Sequence, residues 1–244
     1  MPENGVPNPA ALAARLRPNR FAGDTGVADS MLAAALRSPA AQRLAAVVSA
    51  LPHSRLLVPV MPHSQPVPPT QDKSAGCGIS DIQELRLPDG RRAARAYTDI
   101  DSFNVAEPLA RPAPVTGRDL ALLVIPGAAR VMLNGELVIP RPALASIAQG
   151  DEWLPAWEDA ELVEMLAERF TEVVGTKLVG IAAGENGSEN IYVTLAPDLP
   201  DPKQAVSQLM RILAGLPRAI LAMDTPTLVP LPADLQVDSD GKEK

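Results

Sequence analysis

Proline constrains this chain more than any other residue. There are 26 prolines in 244 residues, about twice the average share of roughly 5%. A proline lacks the backbone N–H and its ring fouls the preceding helical turn, so helix interiors and central strands exclude it. Prolines recur along most of the sequence, which predicts regular elements that are short. Hydrophobic residues make up 46% of the chain, enough to build a core and too many for wholesale disorder. Aromatic residues supply only 3%, so that core must be aliphatic. The length accommodates one large domain or two small ones.

Charge narrows the function classes. The formal net charge is −7 and the isoelectric point about 4.9, whereas nucleic-acid binders carry a basic footprint. The rings that single-strand binders stack on bases are also scarce: Tyr97, Tyr192, Phe21, Phe103, Phe170, Trp153 and Trp157 are all there are. Nucleic acid is therefore not an expected partner. Cys77 is the single cysteine, which excludes an intrachain disulfide and fits a reducing compartment. Residues 1–20 are polar and broken by prolines, without the apolar stretch of a secretory signal. The longest apolar run, 120–129, contains Pro126 and Gly127 and falls short of the roughly 20 residues a bilayer span needs. The expectation is an acidic cytoplasmic protein with no membrane partner.

Patterning predicts an α+β chain of two small domains, each a short mixed or antiparallel sheet covered by helices. Residues 1–28 read as an irregular arm, with one short helical pattern over 11–16. The first domain spans 29–150. Asp29 is a helix N-cap, Leu32 and Leu36 lie one turn apart, and a second helix over 40–51 follows Pro39. Residues 56–61 read as a buried strand, and 62–78 as a long loop rich in proline. Pro88-Asp89-Gly90 marks a turn between strands over 79–87 and 91–97. Val115 ends a further short strand, and 120–125 is a short apolar helix. Asn134-Gly135 is a strong hairpin signal between 130–133 and 137–139, and a helix led by Pro142 ends at Gly150.

The second domain spans 151–232. A helix over 158–174 turns Leu162, Met165, Leu166, Phe170 and Val173 inward. Strands follow over 177–183 and 189–195. Asp201-Pro202 opens a helix to Ala214, with Val206, Leu209, Met210 and Leu213 inward. Residues 219–223 read as one more strand. The order is helix–strand–strand–helix–strand, with a charged tail over 233–244 read as disordered. Trp153 and Trp157 mark the junction, the one place where large rings gather.

No catalytic constellation emerges. His53, His63 and Cys77 are the only imidazoles and the only thiol. Together they would suit a cysteine hydrolase or a zinc site, but no nucleophile signature or metal-ligand spacing surrounds them. Asp151, Glu152, Glu158, Asp159, Glu161 and Glu164 form an acidic cluster. Paired carboxylates can do acid–base or metal work, but the favoured reading is a dipole-matched helix N-terminus with a solvated face. Asp99 and Asp101 suit either a cation or a cap. Arg91, Arg92 and Arg95 could meet an anionic partner, but read sooner as a charged solvent face or edge-strand protection. Asn186-Gly187-Ser188 matches a glycosylation acceptor, which in a cytoplasmic protein is only a turn. Phosphate-loop, dinucleotide and nucleophile-elbow motifs are missing. No catalytic, cofactor or metal residue is assigned.

The chain resembles the SseB-like family, named for an enhanced serine sensitivity phenotype, and most of all its actinobacterial members. Four stretches carry the resemblance. They are Arg20-Phe21-Ala22-Gly23-Asp24-Thr25-Gly26 with Ala28-Asp29; Leu56-Leu57-Val58-Pro59-Val60; Arg95-Ala96-Tyr97-Thr98-Asp99-Ile100 with Phe103; and Pro114-Val115 with the 120–123 helix, 131–134 and Pro140-Arg141-Pro142. Residues 158–232 are similar to the family's C-terminal domain. The name is shared with an unrelated secretion-translocon component, whose long helical segments this chain lacks. The resemblance implies no established activity, no catalytic residues and no cofactor. The leading expectation is thus a non-enzymatic protein-binding or regulatory module, with another protein as partner and a homodimer as a possible assembly. The alternative is a small-molecule sensor or enzyme linked to serine and amino-acid metabolism.

Overall fold

The computed structural model describes residues 20–60, 82, 84–127 and 129–231. The helical pattern over 11–16, the loop over 62–78 and the tail over 233–244 lie outside them. The fold is α+β, built from short elements in sheet-plus-helix layers. No helix among the described residues is long and apolar enough to cross a membrane.

Helix α1 (Ser30–Leu36) starts where Asp29 accepts from the N–H groups of Met31 and Leu32. Pro39 separates it from α2 (Ala40–Ala50), and a 3₁₀ turn at Leu51–His53 carries Pro52. Strand β1 (Arg55–Val60) is buried at four successive positions, as its unbroken apolar run predicts.

A second sheet has the order β2 (Glu84–Arg86), β3 (Arg92–Ala96), β5 (Arg130–Leu133), β6 (Leu137–Ile139). Its two hairpins turn at the predicted Pro88-Asp89-Gly90 and Asn134-Gly135. Asn134 and Gly135 have φ of 51° and 74°, the paired left-handed geometry of a type I′ turn. The parallel β3–β5 pair is bridged by α3 (Ile100–Ala106), β4 (Arg111–Thr116) and α4 (Gly117–Val124).

Strand β4 runs longer than Val115 alone suggests and contains Pro112 and Pro114. Hydrogen-bond direction explains how it tolerates them. Leu57 exchanges both its backbone bonds with Tyr97, at 2.8 and 2.9 Å. Its neighbours Leu56, Val58 and Val60 therefore face β4, opposite Val115, Ala113 and Arg111. Pro112 and Pro114 fall on the alternate parity, so their missing donors point outward.

Helix α5 (Arg141–Gln149) closes in a left-handed Gly150. It packs with α1, α2 and α4 around a core that includes Leu32, Val47, Leu51, Leu56, Leu120, Val131 and Leu144.

A separate core forms between α6 (Ala160–Phe170), α7 (Pro202–Gly215), α8 (Pro217–Ala222) and a sheet of order β7 (Thr176–Ala183), β8 (Glu189–Leu195), β9 (Pro226–Leu231). Leu162, Leu166 and Phe170 project from α6, and Ala205, Leu209 and Leu213 from α7. Met210, read as inward, is 39% exposed. The buried face of α7 is centred on the 205–209–213 row, and Met210 flanks it.

The largest correction concerns 219–223. These residues continue helix α8 to Ala222, and the strand lies later, at β9. Six residues are too few for periodicity to separate helix from strand. Pro217 at the first helical position and the helix formers Arg218, Ala219, Leu221 and Ala222 decide the outcome. Strand β9 runs parallel to β8. Glu189 donates to the Thr225 carbonyl, so 225, 227 and 229 face β8 while Pro226 and Pro230 face outward.

Candidate functional site

The two cores meet at a buried charge cluster. Arg130 opens β5, and its guanidinium donates through Nε and Nη2 to the two carboxylate oxygens of Asp224, at 2.6 Å each. Asp224 lies in the turn between α8 and β9, with its side chain 1% exposed against 7% for Arg130. It also accepts from the backbone N–H of Arg141 at the start of α5, at 3.3 Å. Arg91 pairs with Asp89 and approaches Asp224 to 3.7 Å. The Arg91 bond holds the Asp89 carboxyl below its ordinary range.

Behind Asp224, Glu189 accepts from the backbone N–H groups of Asp224 and Thr225, at 3.1 and 2.9 Å. Next to it in the chain, the β7–β8 turn lies against β6 and Pro140. Gly187 makes that approach possible, with φ of +71° and only 3.0 Å between an added Cβ and the Val138 carbonyl oxygen. Isolated buried charges cost several kcal/mol each, and only bidentate geometry with further hydrogen bonds offsets that. Both are present, so the cluster works as a clamp between the units. Arg91 Nη1 and Thr225 Oγ1 beside it are buried without a hydrogen-bond partner.

Glu189 makes this cluster sensitive to pH. Burial pushes its carboxyl above the ordinary value, and the Asp224 charge adds to the effect, against the two backbone donors. A raised native value means the neutral form favours folding. That contribution is complete at acid pH and is lost as pH rises through the native value. Glu189→Gln removes it. Between about pH 4 and about pH 7, the stability of the variant relative to the parent chain is expected to rise. Urea midpoints at the two ends of that range check this; a difference that stays flat or falls refutes it.

Beside the clamp lies an apolar strip. Helix α8 exposes Ile220 (59%) and Leu221 (76%). One hollow of about 100 Å³ separates it from Ile125, Pro142 and Ala145. Another of about 240 Å³ separates it from Met210, Leu213 and Ala214. Both are also lined by Arg141 and Asp224. Asp224 is neutralised by Arg130, and the Arg141 guanidinium has no ion pair among the described residues. On α4, Leu122 is 53% exposed and precedes Ile125 by one i, i+3 step.

The residues singled out in the sequence fall elsewhere. His53 is exposed in the 3₁₀ turn, while His63 and Cys77 lie outside the described residues. Asp99 caps α3, accepting from the Ser102 N–H at 2.7 Å. Burial raises its carboxyl, but bonds from Ser102 and Thr98 outweigh that and leave it lowered. Asp159 caps α6 and pairs with Arg218, which also reaches Glu161. Asp151, Glu152, Glu158 and Glu164 are exposed. No three His, Cys, Asp or Glu side chains among the described residues stand together as metal ligands.

The arginines read as a solvent face are each engaged. Arg91 precedes β3 and is 16% exposed in the clamp. Arg92 pairs with Glu84 across β2, and Arg95 with Glu107 at 2.7 Å. Glu107 also accepts from the Tyr97 hydroxyl; burial and that bond push the phenol up to about 12. Trp153 and Trp157 meet edge to face at 5.8 Å, and Trp153 packs on the first core. The two hollows at the junction are lined around α8 instead. Arg130, Glu189 and Asp224 escaped the sequence reading, since they stand apart in the chain within unrelated patterns.

Comparison with known proteins found no match to a curated protein and none to a solved structure. Residues 29–146, which run from α1 into α5 and include both N-terminal sheets, match the family model described as the SseB protein N-terminal domain. The N-terminal unit of this chain is thus similar to the SseB protein N-terminal domain.

Proposed function

We propose that the protein is a non-enzymatic, cytoplasmic protein-binding module, with residues 151–232 acting as an SseB-type C-terminal domain. One observation carries the reading. In the clamp Arg130 and Asp224 neutralise each other, while the surface beside it presents Ile220, Leu221 and Met210 around Arg141, whose guanidinium has no ion pair among the described residues. Exposed apolar side chains around a charged anchor are the material of a protein interface. The hollows there, at about 100 and 240 Å³, are smaller than the roughly 300–1,000 Å³ of small-molecule sites.

The test is affinity purification from the native cell with mass spectrometry, comparing the parent chain with Leu221→Asp. The expected result is a reproducible stoichiometric partner, reduced about tenfold or more by the substitution. Recovery of no partner across growth conditions, or full retention by the variant, overturns the reading.

A second reading rests on a wider polar hollow of about 480 Å³ between the ends of α6 and α7, lined by Arg169, Glu172, Gln208 and Arg211. Its size suits a small-molecule sensor of amino-acid metabolism. A thermal-shift panel of amino acids and nucleotides tests it, and a flat panel leaves it without support.

A further inference from the structure

Arg141 is shared by the two hollows beside α8, as are Ile220, Met223 and Asp224. The hollows are therefore two halves of one groove. Both halves have apolar walls, with Ile125 and Pro142 in the smaller and Met210 and Leu213 in the wider. The backbone of Arg141 is tied in place, since its N–H donates to Asp224 at 3.3 Å.

The charges around the groove leave one sign in excess. Arg130 and Asp224 neutralise each other, and Asp89 answers Arg91. Burial holds Glu189 toward its neutral form. Arg218, also on α8, is engaged by Asp159 and Glu161. Arg141 is exposed, and its guanidinium has no ion pair among the described residues. The groove thus offers a positive charge in a chain of net charge −7. Its complement is an apolar surface that carries a carboxylate.

We propose that the groove takes an acidic amphipathic helix of a partner protein. One apolar side chain enters each hollow, and a carboxylate between them pairs with Arg141. Pro226 selects a helix over a strand. It lines the wider hollow and has no N–H, so a strand laid beside β9 would lose ladder bonds there. A helix satisfies its own backbone and reads a groove through side chains at i, i+4 and i+7. This inference rests on the protein-binding function proposed for the strip and adds the chemistry of the partner.

The probes are two dye-labelled synthetic helical peptides of about 15 residues, rich in alanine, with leucine at i and i+7. One carries glutamate at i+4 and the other lysine. Fluorescence anisotropy of each is titrated with the full chain at low salt. The parent chain is expected to bind the glutamate peptide at least about fivefold more tightly, because one peptide gains an ion pair and the other meets a like charge. Arg141→Gln should abolish that preference, and Arg141→Glu should reverse it. The bond to Asp224 comes from the backbone, so Arg141→Gln retains it. Leu221→Asp should weaken both peptides, since Leu221 lines the smaller hollow. Equal binding of the two peptides, no saturable binding, or a preference that survives Arg141→Gln overturns the proposal. Self-association of the chain that Leu221→Asp abolishes would assign the groove to a second copy and overturn it as well. A cellular partner lost with Leu221→Asp but retained with Arg141→Gln would leave the protein-binding function standing without this inference.

Discussion

Gly117→Ala is expected to cost more than about 3 kcal/mol, above the usual range for overpacking. Gly117 begins α4 directly after β4, and its N–H donates to the Ser54 carbonyl at 3.0 Å. The chain passes so close to the end of α2 that an added Cβ would lie 2.0 Å from the Leu51 carbonyl oxygen and 2.7 Å from its carbon. Those are backbone atoms, so no rotamer change relieves the clash. Either α4 or the 3₁₀ turn must move, and both bury leucines of the first core. At roughly 2–4 °C per kcal/mol for a chain of this size, the midpoint should fall by about 10 °C.

Gly215→Ala is the matched control. An added Cβ there meets nothing within 4 Å, so relief of backbone entropy should stabilise by about 0.4–1 kcal/mol. A Gly117→Ala chain that melts within about 2 °C of the parent would remove the steric account.

Asp224→Ala is expected to cost about 3–5 kcal/mol, the range for breaking one side of a buried ion pair. It strands Arg130, which is 7% exposed. It also takes the acceptor from the Arg141 N–H and leaves Arg91 with Asp89 alone. Arg130→Met together with Asp224→Leu should recover most of the loss, because the penalty comes from the stranded charge rather than from a missing attraction. Chemical denaturation of the three chains decides the matter. A single substitution costing under about 1 kcal/mol, or a double one no better than the single, would mean that water reaches the pair and that the clamp is not dry.

Local chemistry was legible in the sequence wherever one residue type has one dominant use. Asp29 and Asp201 cap helices as read, and Asn134-Gly135 turns its hairpin. Asp99 was readable as a cap or as a cation ligand, and the neighbouring Ser102 N–H selects the cap. Legibility failed where a segment was short or its partner remote. Six residues at 217–222 carry no usable period. Strand β4 hid behind two prolines that only a one-sided strand can hold. The clamp joins residues 94 positions apart, and nothing near either residue signals the other. Arg91 looked solvated because its nearest acid in the chain, Asp89, gives no hint of Asp224.

The outward prolines of β4 and β9 bear on how this chain avoids unwanted association. An open strand edge is a row of free donors and acceptors on which another chain can template itself, as in amyloid growth or strand addition. Pro112 and Pro114 on β4, and Pro226 and Pro230 on β9, interrupt that row at alternate positions. A visiting strand finds acceptors there with no matching donors. Recognition through backbone pairing is thus handicapped along both edges, and selectivity passes to side chains.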